Sequence, residues 1–141
     1  MVILDAGSET DLPAIKALLA DSGLPLDGLM TVPTSLVVAR HGGRLVGVGA
    51  LERHGSDGLI RSLVVASASR SSGIGSGIVA ELERTADEHG LAGTYLLTDT
   101  AEQFFARRGY RRIGRHDAPE AVMGSVEWST VCPQSSIAMV R

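Results

Sequence analysis

Between residues 63 and 76 an apolar run, Leu63-Val64-Val65, gives way to Arg70-Ser71-Ser72-Gly73-Ile74-Gly75-Ser76, where most side chains are small or missing. Backbone is the main group left to fill that space. A turn lined by glycine and serine lets several N–H groups converge on one oxyanion, and the unpaired N–H groups at the start of a following helix add partial positive charge. The spacing predicts a diphosphate cradle. The dinucleotide fingerprint needs three glycines in G-x-G-x-x-G and the P-loop needs a G-K-[ST] ending; neither is present. A tight strand-to-helix turn that binds nothing is the other reading of these glycines.

Further groups suited to chemistry lie on either side. Glu52, His54 and Asp57 are near one another in sequence and carry the carboxylates and imidazole suited to taking a proton, directly or through water. Each also fits a solvated loop. Arg53 and Arg61 offer the planar fork that matches a carboxylate, or are ordinary strand-surface charges. Thr98 and Thr100 bring hydroxyls, and Phe104 and Phe105 are either core aromatics or walls of a site. Arg107, Arg108, Arg111 and Arg112 flank Gly109, mostly as a solvated face with some within reach of phosphate. His41, His54, His89 and His116 are scattered without the spacing that grips zinc, and Cys132 is the only cysteine. No metal site and no internal disulfide are expected, and the thiol is read as packing or lining a pocket.

The elements that must position these groups can be read from periodicity and punctuation. Ile3 to Ala6 reads as a first strand, Thr10-Asp11 as a helix cap with Pro13 in the first turn, and Leu12, Ile15, Leu18 and Leu19 as one helical face. Gly23 and Pro25 end that helix, and a loop or irregular helix runs to Thr34. Ser35 to Arg40 and Arg44 to Arg53 form a hairpin across His41-Gly42-Gly43, and Leu59 to Val65 is a central strand. From Gly75 to His89, Ile78, Val79, Leu82 and Ala86 share a helical face, and Gly90 suits the cap. Thr94 to Thr98 is a strand, Ala101 to Arg108 a short helix, and Tyr110 to Gly114 and Ile137 to Val140 the last strands. A long loop from Arg115 to Ser136 separates those two. The order describes a mixed α/β sheet with helices on its faces.

At 141 residues with 44% hydrophobic content, one domain spanning 1–141 is expected. A net charge of −3 gives no electrostatic reason for nucleic acid or an anionic membrane as partner. No apolar run approaches a membrane span and Met1-Val2-Ile3-Leu4-Asp5 lacks the look of a signal peptide, so the chain is read as soluble and cytoplasmic.

The loop from Arg70 to Gly75, with Val65 five residues before it, resembles the [RQ]-x-x-G-x-[GA] motif of the GNAT acetyltransferases. The segment Phe104-Phe105-Ala106-Arg107-Arg108-Gly109-Tyr110 resembles that family's F-Y-x-x-x-G-[FY] element. The resemblance covers the whole chain. It implies a mostly antiparallel sheet, splayed at the central strand, with acetyl-CoA in the gap and no metal. Carried over, it places cofactor contacts at Leu63, Val64, Val65, Arg70, Thr98, Phe104 and Phe105, with diphosphate amides from Ser71, Ser72, Gly73, Ile74, Gly75 and Ser76. Direct attack of an amine on the thioester is implied, with the Val65 N–H on the developing oxyanion. Where many members have a tyrosine to protonate the thiolate, this chain has Phe105, which leaves Thr98, Thr100 or water. Glu52 is the first candidate base, and an exposed final strand allows a homodimer.

Thr98-Asp99-Thr100-Ala101-Glu102-Gln103-Phe104-Phe105, Asp117-Ala118-Pro119 and Ser129-Thr130-Val131-Cys132-Pro133-Gln134-Ser135-Ser136 are similar to the arsenic-resistance branch of the superfamily. Some relatives there acetylate amino-acid toxins of the phosphinothricin and arsinothricin kind. That resemblance implies a small amino acid carrying an oxyanion as the substrate; the fork of Arg53 and Arg61 suits its carboxylate, and Ser129 is a further candidate contact. A peptide or protein N-acetyltransferase and a non-catalytic acetyl-CoA-binding module are the other readings.

Overall fold

Local sequence signals set the order of elements in a computed structural model that describes residues 1–70, 72–131 and 135–141. Strand β1 (Val2–Ala6) leads into helix α1 (Leu12–Asp21), with Pro13 in the first turn, where its missing N–H breaks no intrahelical bond. A meander follows, made of β2 (Thr34–His41), β3 (Arg44–His54) and β4 (Asp57–Val65). Then come α2 (Ile74–Glu88), β5 (Thr94–Thr98), α3 (Glu102–Arg107), β6 (Arg111–Ile113), α4 (Glu120–Met123) and β7 (Ile137–Val140). The strands form one sheet in the order β1-β2-β3-β4-β5-β7-β6. Only the β4–β5 pair is parallel.

Strand alternation sends side chains to two faces. Leu36, Val38, Val48 and Ala50 pack with Ile15 and Leu19 of α1, whereas Val37, Ala39 and Leu51 pack with Ile74, Ile78, Val79, Leu82 and Ala86 of α2. Where α2 crosses β3 the strand carries Gly47 and Gly49. A Cβ on Gly49 would stand 2.7 Å from Ile78 Cγ2, so a bare backbone there sets how closely the helix approaches.

β4 is the strand on which the site depends. Its pairing with β3 shifts between Val48↔Val64 and Ala50↔Arg61, and Ser62 sits in the left-handed region at φ 58°. This is a bulge. It points Arg61 to the α1 side while Leu63 packs on the α2 side. On its other edge β4 pairs with β5 only from Gly58↔Thr94 to Ile60↔Leu96, although β4 runs on to Val65 and β5 to Thr98. The two strands part, and the sheet opens.

Two expectations need correcting. The segment from Arg115 to Ser136, expected as a long loop, includes α4 and a π-helix over Glu127–Val131. Its Ala118, Val122 and Trp128 pack on Leu59 and Ala138, a cluster without helical periodicity in the sequence. The strand expected from Tyr110 to Gly114 is limited to Arg111–Ile113, because the Tyr110 N–H donates to Phe105 O and closes α3 instead. Among the described residues, no helix is long and apolar enough to cross a membrane.

Candidate active site

The turn after β4 begins with Arg70, whose Nε donates to Val65 O at 3.0 Å. Ser72 folds back on Ser69 O at 2.6 Å, and Gly73 takes φ 82° as the residue that starts α2. The first α-helical bond runs from Gly77 N to Gly73 O at 3.0 Å. The N–H groups before it have no partner within the helix, and no acidic side chain stands in the first turn. Among the described residues, a Cβ on Gly73 would meet nothing within 4 Å, so they leave the space beside this backbone open. These features suit an anion at the helix start.

From this turn a groove of about 740 Å³ runs along Leu63, Val64 and Val65, with Thr100, Phe104 and Arg107 opposite. Ala66 N–H donates to Val46 O at 2.8 Å, so alternation along the ladder turns the amides of Leu63 and Val65 away from β3, toward the gap left by β5. A second cleft, of about 690 Å³, lies on the far side of the gap. Leu63, Asp99, Thr100 and Ala101 border both spaces. The gap therefore connects the turn at the start of α2 to a separate cavity.

The cleft wall carries Arg61, wholly buried at its side chain. The guanidinium donates to Glu52 Oε2 at 3.3 Å, Ser62 Oγ at 3.1 Å and Pro25 O at 3.3 Å, and its Nε lies 3.5 Å from Glu127 Oε1. Glu52 is held from its other oxygen by His54 Nε2 at 2.8 Å. Burial pushes the Glu127 carboxyl up to about 7; Arg61 pulls it down, and the like charge of Glu52 adds to the rise. Glu127 is a site residue that the sequence reading missed. Its only sequence mark is a carboxylate beside Trp128 in a stretch poor in charge.

Phe105 is buried and borders the cleft, whereas Phe104 borders the groove. Their rings meet edge to face at 5.0 Å, and Phe105 meets Tyr110 in the same way at 5.3 Å. The Tyr110 hydroxyl donates to Glu83 Oε2 at 2.9 Å, away from both cavities, and burial with that carboxylate holds its pKa far above the ordinary value.

Of the candidates named from sequence, Leu63, Val64, Val65, Arg70, Gly75, Thr100 and Phe104 come together in the groove. Arg61, Thr98 and Phe105 join Leu63 and Thr100 at the cleft. Ser72 and Gly73 are exposed at the start of α2, Ser76 is half-buried, and the Ile74 side chain turns into the core. Three others lie elsewhere. Glu52 stands behind Arg61 with both oxygens engaged, Arg53 donates to Ser35 Oγ at 3.0 Å, and Ser129 donates to Ser125 O at 2.7 Å. Ser71 and Cys132 fall outside the described residues. Among those described, no group of three His, Cys, Asp or Glu side chains is placed to hold a metal ion.

A family model described as "Acetyltransferase (GNAT) domain" matches residues 28–122. No curated protein matches the sequence. Among solved structures, N-acetylglutamate synthase from Neisseria gonorrhoeae, complexed with coenzyme A and N-acetyl-glutamate, aligns over 100% of this chain at TM-score 0.80 and 23% identity. This chain covers 35% of that one. Rv2747 from Mycobacterium tuberculosis, solved in complex with CoA, aligns at TM-score 0.81 and 29% identity over 98% of this chain and 97% of its own. A GNAT-family acetyltransferase from Staphylococcus aureus Mu50 aligns at TM-score 0.80 and 15% identity, over 100% and 98%.

Proposed function

Because the chain belongs to the GNAT acetyltransferase domain family, we propose that it acts, as a single domain, to transfer the acetyl group of acetyl-CoA to the amine of a small molecule. One observation carries this reading: the gap between β4 and β5 joins the open turn at the start of α2 to the cleft that holds Arg61 and Glu127. The CoA complex of the Rv2747 structure supports the choice of cosubstrate.

The residues present suit that cosubstrate. Amides from Ser72 to Ser76 would hold the diphosphate beside the space left open at Gly73, while the amides of Leu63 and Val65 would pair with the pantetheine arm. Leu63, at the border of groove and cleft, places the thioester where an amine in the cleft can reach it. The N–H groups aimed into the gap, Val65 first among them, stabilise the oxyanion as the carbonyl is attacked. Thr98 Oγ1 already accepts from Ala101 N at 3.0 Å, so its own proton is available to the departing sulfur, as is that of exposed Thr100. A thiolate leaves readily enough for such weak acids to serve, since its conjugate acid has a pKa of about 8.5.

Within the small amines, an amino acid bearing an arsenic or phosphorus oxyanion is the first candidate, on the resemblance of residues 98–105, 117–119 and 129–136. Arg61 reaches the cleft already paired with two glutamates, so the oxyanion would be met by hydroxyls and amides around Thr98 and Thr100 as well. Screening amino acids of this type, plain amines and short peptides for coenzyme A release tests the reading. Turnover of a small amine is expected. Bound coenzyme A without turnover of any acceptor would reduce the protein to a binding module, and turnover of peptides alone would replace the substrate class.

A further inference from the structure

Among the described residues, the ionisable side chains on the cleft wall are Arg61, Asp99 and Glu127. Arginine does not give up its proton in this range. Asp99 is exposed, and its Oδ1 accepts from Ser136 Oγ at 2.7 Å. Glu127 is 5% exposed, and among the described residues its carboxylate makes one polar contact, the 3.5 Å ion pair with Arg61 Nε. Accepting a proton there neutralises a charge that the apolar wall of Leu96, Leu97 and Phe105 does not solvate.

We propose that Glu127 is the proton acceptor of this site, taking a proton from the substrate ammonium directly or through one water. The proposal rests on the transferase reading and assigns a residue that lies beyond the part of the chain matched by the family model. One N–H proton passes to the carboxylate, and the freed lone pair forms the bond to the acetyl carbon. The C–S bond breaks with its electrons leaving on sulfur. The second nitrogen proton then reaches the thiolate, and Glu127 returns its proton to solvent. Nothing else is consumed.

Several charges tune this group. Arg61 faces it from β4, with Glu52 and then His54 behind on β3; Asp99 faces the same cavity from the end of β5, and Arg115 lies over the neighbouring Trp128 ring. Glu52 was the base expected from sequence, but its oxygens are taken by His54 and Arg61, which makes it a positioning residue. Burial leaves the Glu127 carboxyl titrating near neutrality, the range in which a general base works best.

The experiment measures kcat between pH 5.5 and 9 at saturating acetyl-CoA and amine, for the unmodified protein, Glu127→Gln and Glu52→Gln. Coenzyme A affinity of each is measured by calorimetry. Unmodified protein is expected to lose kcat about tenfold per pH unit below about 7. Glu127→Gln should bind coenzyme A within about twofold, lose about 100-fold or more in kcat and lose the break near 7. Glu52→Gln should move the break to lower pH, since a like charge is removed and Arg61 is released toward Glu127. A Glu127→Gln protein that keeps both turnover and the break, or a Glu52→Gln protein whose break does not move, would overturn the proposal and leave the transferase reading standing. Unmodified protein that binds coenzyme A and acetylates nothing would overturn both.

Discussion

Glu127 also leaves a mark on stability. Its carboxyl titrates near 7 in the folded protein and at the ordinary 4.5 in an open chain, so between those values the fold holds a proton that the unfolded chain has released. The stability this group contributes is therefore complete below 4.5 and is lost as pH rises through 7, by about 3 kcal/mol at most. Glu127→Gln removes the dependence. Its melting temperature should gain on the unmodified protein between pH 5 and pH 8, and an offset that stays constant across that range would contradict the raised pKa. Phe105→Tyr is a milder change, because the ring keeps its edge-to-face contacts with Phe104 and Tyr110 and gains a hydroxyl at the cleft. The variant should stay folded and active, and loss of coenzyme A binding would show that Phe105 serves the groove instead. At this scale the sequence was legible where chemistry is local. The amides from Ser72 to Ser76 depend on a few adjacent small residues, whereas Glu127 acquires its character first from burial and then from Arg61 and Glu52, which the fold brings from two distant strands.

Helix α2 joins the core to the site, and two glycines test its two roles. Gly73 at φ 82° is in a region that costs a β-branched residue about 1–2 kcal/mol or more, and its missing side chain keeps the turn open. Gly73→Val should lower the melting temperature by several degrees and abolish the further rise given by coenzyme A; native affinity in a folded variant would exclude the turn as the diphosphate site. Gly49→Ala pushes a methyl against Ile78 Cγ2 at 2.7 Å and should cost about 1–3 kcal/mol in chemical denaturation, with coenzyme A still bound. The strands were legible to within one or two residues because glycine turns and alternation mark them, as at His41↔Arg44 and Thr94–Thr98. The π-helix was not, because its burial depends on Leu59 and Ala138 packing against Trp128 from other strands. The bulge at Ser62 left no signal either, since serine has no preference for a positive φ.

Across the whole molecule, a net charge of −3 would not hinder an anionic cosubstrate whose phosphates were met by local amides at the start of α2. Coenzyme A at about 100 times its Kd should stabilise the protein by about 2.7 kcal/mol, read as a rise in melting temperature that grows with ligand concentration. No rise at any concentration would leave the groove without its occupant. The sheet order holds one more consequence. β7 is later in the chain than every other strand, yet it lies between β5 and β6, and β6 has no other neighbour in the sheet. While the ribosome is still making the chain, β1 to β5 can pair as they emerge, but β6 must wait, and one edge of β5 stays bare until residues 137–140 arrive. A nascent chain stalled before Ile137 should therefore engage holding chaperones and resist becoming soluble. A strand that enters between two already synthesised closes this sheet, which makes its four residues the gate on which both neighbours wait.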